Sequence, residues 1–256
     1  MDEESLSSHL SRIATQWTVL RQAHGSAQDE ARQAQAALFE RYQRAVYSYL
    51  LTALRQPDAA DEVFQEFAVK FLQGGFRGAD PERGRFRSYL KTALIRLILD
   101  YRRKSRSRAA SLDAEGPELQ DPVASGQEAA AFDRAWRDEL LRRAWHDLEA
   151  YAEAARRPYC AVLRYRTEHP EQSSEEMAAG LTRQLAPQRP FTSEGTRKTL
   201  QRAREKFADL LLDEVAASLE RSDLDAIEEE LTSLELLAYC RSAIQRRRES
   251  REAAGS

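Results

Sequence analysis

Apolar residues return every three or four positions between Asp29 and Leu54: Ala31, Ala34, Leu38, Phe39, Tyr42, Ala45, Val46, Tyr49, Leu50 and Ala53. An α-helix gathers positions with that period on one face, so the stretch predicts a long amphipathic helix. Gln56-Pro57 ends it, because proline disfavours helical geometry in the residue before it. Asp58 is expected to cap a second helix that turns Val63, Phe64, Phe67, Ala68 and Phe71 inward, with Gly74-Gly75 closing it. A short turn follows, capped by Asp80 with Pro81 in the first position. Beyond it the stripe Tyr89, Leu90, Ala93, Leu94, Leu97, Ile98 and Tyr101 predicts another helix, with both tyrosines in its core and Arg87, Lys91 and Arg96 on other faces. This helix runs out into "RRKSRSR", a like-charge run expected to be solvated and mobile.

Residues 109–132 carry Gly, Pro, Ser and acids without a period and read as a flexible linker. Helical pattern resumes at Asp133, breaks near Arg157-Pro158 and continues to about Ser218. Within it Ser173 and Glu176 form a capping box ahead of the stripe Met177, Leu181 and Leu185. A turn with two prolines, "APQRPF", leads to a helix capped by Thr192 or Ser193 and striped by Leu200, Ala203, Phe207, Leu210 and Leu211. A last helix is expected from Ser222, with Leu224, Ile227, Leu231, Leu234 and Ala238 inward and packed on the rest of the chain. No strand-like alternation stands out. The fold class is all-α, two small helical domains joined by a flexible linker.

Composition narrows the chemistry. Across 256 residues, 42 acids slightly outnumber 39 bases, for a net charge of −3. Such a chain does not coat nucleic acid indiscriminately, so any DNA contact must come from local basic faces. Two cysteines, Cys160 and Cys240, are too few for a disulfide framework or a cysteine zinc site and read as thiols in a reducing cytosol. The N-terminus has no apolar core of the signal-peptide kind, and no apolar run approaches the ~20 residues that span a bilayer. The expected location is the cytoplasm.

Three clusters could carry function. In "GFRGADPERGRFRSYLK", Phe76 and Phe86 lie among Arg77, Arg83, Arg85, Arg87 and Lys91. Rings that accept stacked bases return ~1–3 kcal/mol per base, and arginines hold a separated backbone, so this mixture suits unpaired nucleic acid. The second cluster, Asp58, Asp61, Glu62, Gln65 and Glu66, shares one helical face and fits either a docking surface for a basic partner or plain solvated surface. It is no di-metal site of the helical-bundle kind, since no glutamate stands three residues before any histidine. The third is a short helix, a turn and a helix opening with Glu194, Arg197, Lys198, Gln201, Arg202 and Arg204 exposed. That pattern fits a helix-turn-helix, whose second helix reads base edges in the major groove. It fits equally an αα-hairpin with a solvated cationic face.

In this order, the segments "LFERYQRAVYSYLLTALRQPDAADEVFQEFAVKFL", "FRGADPERGRFRSYLKTALIRLILDYRRK" and "RKTLQRAREKFADLLLDEV" resemble the extracytoplasmic-function sigma factors, initiation subunits of bacterial RNA polymerase. The resemblance implies an N-terminal extension at 1–30, a sigma-2-like domain at 31–108, the linker at 109–132, a sigma-4-like helix-turn-helix domain at 133–216 and a C-terminal helical extension at 217–256. It implies that Asp58, Asp61, Glu62, Gln65 and Glu66 dock on the clamp helices of the polymerase's largest subunit, with the flap as a further contact. Phe76, Arg77, Arg83, Arg85, Phe86, Arg87, Ser88, Lys91 and Arg96 would capture unstacked bases of the minus-ten promoter element. Thr192, Ser193, Glu194, Thr196, Arg197, Lys198, Gln201, Arg202 and Arg204 would read the minus-35 element as duplex. A regulatory protein or a serine/threonine kinase is a further partner known among relatives. No catalytic residue, metal, cofactor or membrane contact is implied. "DAADE" departs from the family in carrying alanine where a second acid is common, and Arg96 stands where many relatives have asparagine. Two rival readings remain: a helix-turn-helix regulator that works without polymerase, and a helical signalling adaptor that does not bind DNA.

Overall fold

The computed structural model describes residues 28–72, 86–110, 126–219 and 223–255. All regular structure among them is helical: α1 Gln28–Leu54, α2 Pro57–Leu72, α3 Phe86–Ala110, α4 Gln127–Ala154, α5 Tyr159–Glu168, α6 Ser174–Leu185, α7 Ser193–Ala216, α8 Leu224–Ser233 and α9 Leu237–Gly255. Contacts divide the chain between Glu139 and Leu140 into two compact units, and the division falls inside α4. No helix among the described residues is long and apolar enough to cross a membrane.

In the first unit α1 packs along α2, and both meet α3. Arg55 takes the left-handed conformation (φ 58°) between α1 and α2, and Pro57 opens α2 at a position where its missing N–H costs nothing. Asp58 therefore sits inside the first turn of α2, favourably placed against the helix dipole, and is not the cap residue expected. Phe39 packs its ring 5.9 Å from Phe64, 6.1 Å from Phe67 and 5.8 Å from Phe71. Leu90, Leu94, Leu97 and Ile98 fill the core from α3, whereas Tyr89 and Tyr101, expected there, are only half-buried.

The "RRKSRSR" run is solvated as expected at Arg103, Lys104, Arg106 and Ser107, and it is helical as far as Ala110. Arg102 explains part of this, for its guanidinium donates to Glu128 Oε1 at 2.7 Å and to the Ala53 carbonyl at 3.0 Å. That carbonyl lies in the last turn of α1, where four such groups lack intrahelical partners and a cation is welcome. The linker expected through residue 132 is helix from Gln127 onward. Phe132 and Trp136 are fully buried in this unit, Trp136 stacked 4.3 Å from Tyr42 and Phe132 edge-on 5.3 Å from Tyr49. Burial of two large rings outweighs the weak local signal of "SGQEAAAF".

The second unit takes Leu140, Ala144 and Leu148 from the rest of α4. α4 ends at Ala154, Arg156 turns the chain (φ 51°) and Pro158 precedes α5, close to the expected break. α5, α6 and α7 share a core in which Val162, Met177, Leu181, Leu200 and Ala203 are buried. Leu185, expected in the inner stripe of α6, is exposed. Gly180 is buried under Tyr165: a Cβ there would lie 1.7 Å from the Tyr165 hydroxyl, which donates to Gln172 Oε1 at 3.1 Å. Only a residue without a side chain fits at that point.

The C-terminal segment packs on α7 through α8 and α9, two helices where a single one was expected. Asp223, not Ser222, caps α8, accepting from the Ala226 N–H at 2.9 Å. The chain turns at Glu235 (φ 60°), and Ala238 ends up exposed at the start of α9. Arg246 reaches Asp209 at 3.0 Å and Arg247 reaches Asp213 at 2.7 Å, both on α7. Cys240 lies on the buried side of α9, and burial pushes its thiol up to about 11.

Candidate nucleic-acid interface

The acidic cluster lies on α2. Asp58, Glu62 and Gln65 are exposed, while Asp61 and Glu66 are half-buried and engaged. Tyr47 donates its hydroxyl to Asp61 Oδ1 at 2.6 Å, and burial together with that acceptor raises the phenol well above its ordinary range. Glu66 accepts from Lys70 at 2.7 Å and lies 3.7 Å from Lys104 of α3. The Lys70 hydrogen bond pulls the Glu66 carboxyl below its usual value against the opposing effect of burial. The face is acidic but partly neutralised within the chain.

Phe76, Arg77, Arg83 and Arg85 lie outside the described residues. The rest of that group divides. Ser88 and Arg96 are exposed on α3. Phe86, expected outside the core, is half-buried with ring neighbours in Tyr42 at 6.0 Å and Trp136 at 6.4 Å. Arg87 is 6% exposed and donates to Asp133 of α4. Lys91 shares the same carboxylate, at 3.2 Å and 3.1 Å from its two oxygens. Arg87 and Lys91 were expected on faces open to a ligand, and an acid 46 residues further along the chain from Arg87 occupies them instead. Charge-assisted pairs of this kind are strong when partly desolvated, which is why Arg87 tolerates burial.

The third group opens α7. Ser173 and Glu176 make the expected capping box at the start of α6, with reciprocal bonds of 2.7 Å and 3.2 Å. α6 ends with Ala186 in the left-handed region (φ 41°), and the turn is tied back by the Phe191 N–H, which donates to Thr182 Oγ1 at 2.9 Å. Thr192 is the cap of α7, accepting from the Gly195 N–H at 3.1 Å, and Ser193 is the first helical residue. Arg197, Lys198, Gln201, Arg202 and Arg204 are exposed, as is Glu194, which pairs with Lys198 at 2.6 Å. Thr196 is 1% exposed and faces the core, so its hydroxyl has no route to a ligand. Arg197, Arg202 and Arg204 have no ion pair among the described residues.

Sequence reasoning missed Arg102, Glu128, Asp133 and Trp136. Phe132, Trp136, Leu140, Ala144 and Leu148, all buried, recur at every fourth position and carry the signal that would have extended the helix expected from Asp133 back to Phe132. No arrangement of three or more His, Cys, Asp or Glu side chains that could hold a metal ion occurs among the described residues.

Residues 38–108, which run from within α1 to near the end of α3, match the family model of Sigma-70 region 2. The match supports a sigma-factor family for this segment and, with it, binding to RNA polymerase and promoter recognition. No curated protein and no solved structure is found similar to the chain.

Proposed function

We propose that this protein is a sigma factor of the extracytoplasmic-function type, which brings core RNA polymerase to a set of promoters and helps open them. The match of residues 38–108 to Sigma-70 region 2 carries the reading. In it, the exposed acids of α2 dock on the basic clamp helices of the polymerase. Phe76, Arg77, Arg83 and Arg85, with the leading residues of α3, hold unpaired bases of the minus-ten element. The exposed basic positions of α7 enter the major groove of the minus-35 element as the second helix of a helix-turn-helix. Arginine pairs in bidentate fashion with guanine and glutamine with adenine, which suits Arg197, Arg202 and Gln201 to that task. The activity is regulatory and non-enzymatic, and a cytoplasmic location follows from the polymerase partner.

Run-off transcription from fragmented genomic DNA tests this directly. Core polymerase with the protein should give transcripts starting at sites that core polymerase alone does not use. A regulator that binds duplex without polymerase, or a signalling adaptor, would yield no such protein-dependent starts, and that result would overturn the reading.

A further inference from the structure

The basic-aromatic face shared by α1 and α3 is already occupied, and its occupant has the chemistry of the ligand proposed for it. Asp133 of α4 sits on Arg87 and Lys91. Glu128, one turn earlier, pairs with Arg102 at 2.7 Å, and Glu139 lies 3.9 Å from Arg44. Between these acids two rings are laid on tyrosines of α1, Phe132 against Tyr49 and Trp136 against Tyr42. A strip that alternates anions with flat stackable rings is what a single strand of DNA presents, phosphates and bases in turn. An ordinary packing helix needs the rings but not three acids, each set against a cation of the same face.

We infer that residues 128–139 of α4 are an intramolecular stand-in for a nucleic-acid strand, covering the face of α1 and α3 until an unpaired strand displaces them. The inference rests on the reading above that the leading residues of α3 hold the melted minus-ten strand; it extends that site to the neighbouring cations and rings of α1 and α3, and it adds that the site is self-blocked in the free protein. The cover belongs to the same chain as the face it covers, so it competes at high local concentration and only a strand held by further contacts replaces it. A binding-competent state that is populated only in part lowers apparent affinity by that fraction. Weakening the cover therefore tightens strand binding beyond what the loss of one negative charge contributes.

The full chain is titrated with a labelled single-stranded oligodeoxynucleotide of mixed sequence, in the wild type and in Asp133→Asn. The substitution keeps the size of the side chain and removes the charge that holds Arg87 and Lys91. The expected result is about tenfold tighter binding by Asp133→Asn. Asp138→Asn, one turn further on at a side chain 72% exposed, controls for the change in net charge and leaves affinity unchanged. In a Trp17→Phe, Trp145→Phe background the remaining Trp136 reports docking: its emission shifts to the red when the strand binds. Glu128→Gln gives the same direction of change should Asp133→Asn fold poorly. Equal strand affinity in wild type, Asp133→Asn and Glu128→Gln, with Trp136 emission unmoved by the strand, overturns the cover and leaves strand binding and the run-off result standing. Strand binding by none of these proteins overturns both the cover and the minus-ten assignment.

Discussion

α3 and the first turns of α7 carry the two cationic clusters proposed to meet DNA, and they hold their charges in opposite ways. On α3, Arg87, Lys91 and Arg102 are turned against acids of α4 and are buried or half-buried. On α7, Arg197, Arg202 and Arg204 point into solvent, and the acids that pair near them, Glu194 with Lys198 and Glu205 with Gln201, lie on the same helix. The difference is one of desolvation. An exposed pair between neighbouring turns contributes a few tenths of a kcal/mol and is exchanged readily for a phosphate. A partly buried pair with rings packed beside it resists exchange until the packing around it is loosened. One face is open and the other is closed by the chain itself.

The largest way to break that contrast is to remove the packing that closes α3. Trp136→Ala deletes a ring that is 1% exposed and stacked on Tyr42. A buried Trp→Ala change costs about 3–5 kcal/mol, and here the loss should fall on the first unit. Hydrogen exchange should quicken in α1, in α3 and in residues 127–139, while α5 to α7 keep their protection. Unchanged exchange around Tyr42 and Arg87 would show that Trp136 does not hold the closed face.

That closure was the least legible part of the molecule in its sequence. Local rules found what local physics decides: the Gln56-Pro57 break, the capping box at Ser173 and Glu176, and the cap at Thr192. The same rules took Arg87 and Lys91 as available because their partner, Asp133, is distant in sequence and lay just past a segment read as linker. "PVASG" carries no periodicity, and the three alanines at 129–131 announce helix only through propensity, a weak signal next to a run of Gly, Pro and Ser. The exposed face of α7 was legible because its inner stripe is decided by the helix's own period, with one failure at Thr196. A small polar residue between Gly195 and Arg197 reads as surface, yet it falls on the buried side of the first turn.

The open face is sharpened by a medium-sized effect. Arg197→Ala with Arg202→Ala removes two exposed cations and leaves the core of α5, α6 and α7 intact. The melting temperature should not move, and duplex affinity at low salt should fall. Each phosphate contact contributes roughly −0.9 to the slope of log K against log salt, so the double variant should flatten that slope by up to about two units if both contact phosphate. If they contact guanine edges instead, the slope holds while discrimination between promoter sequences drops by about 1–3 kcal/mol per arginine. An unchanged slope together with unchanged discrimination would remove α7 from the interface.

The smallest effect concerns the acidic face of α2, where Tyr47 holds Asp61 half-way into the first unit. Tyr47→Phe removes one hydrogen bond and should cost about 0.5–1.5 kcal/mol at neutral pH. The pH dependence identifies the cause. Burial, then the bond to Asp61, then the carboxylate's charge raise the Tyr47 phenol above its ordinary value of 10.0. A group raised in the folded state contributes stability that is complete below its unfolded value and is lost as pH climbs from there toward the folded value. The advantage of wild type over Tyr47→Phe should therefore be constant below pH 9, shrink above pH 10 and invert roughly one unit later, since one unit is worth about 1.4 kcal/mol. Tyr49 is raised too, mainly by burial, but it is present in both proteins and cancels in the difference. Denaturant titrations of the pair between pH 7 and 11 give the curve. A margin that stayed flat through pH 11 would mean that Tyr47 is not held neutral against Asp61, and the acidic face would lose that anchor.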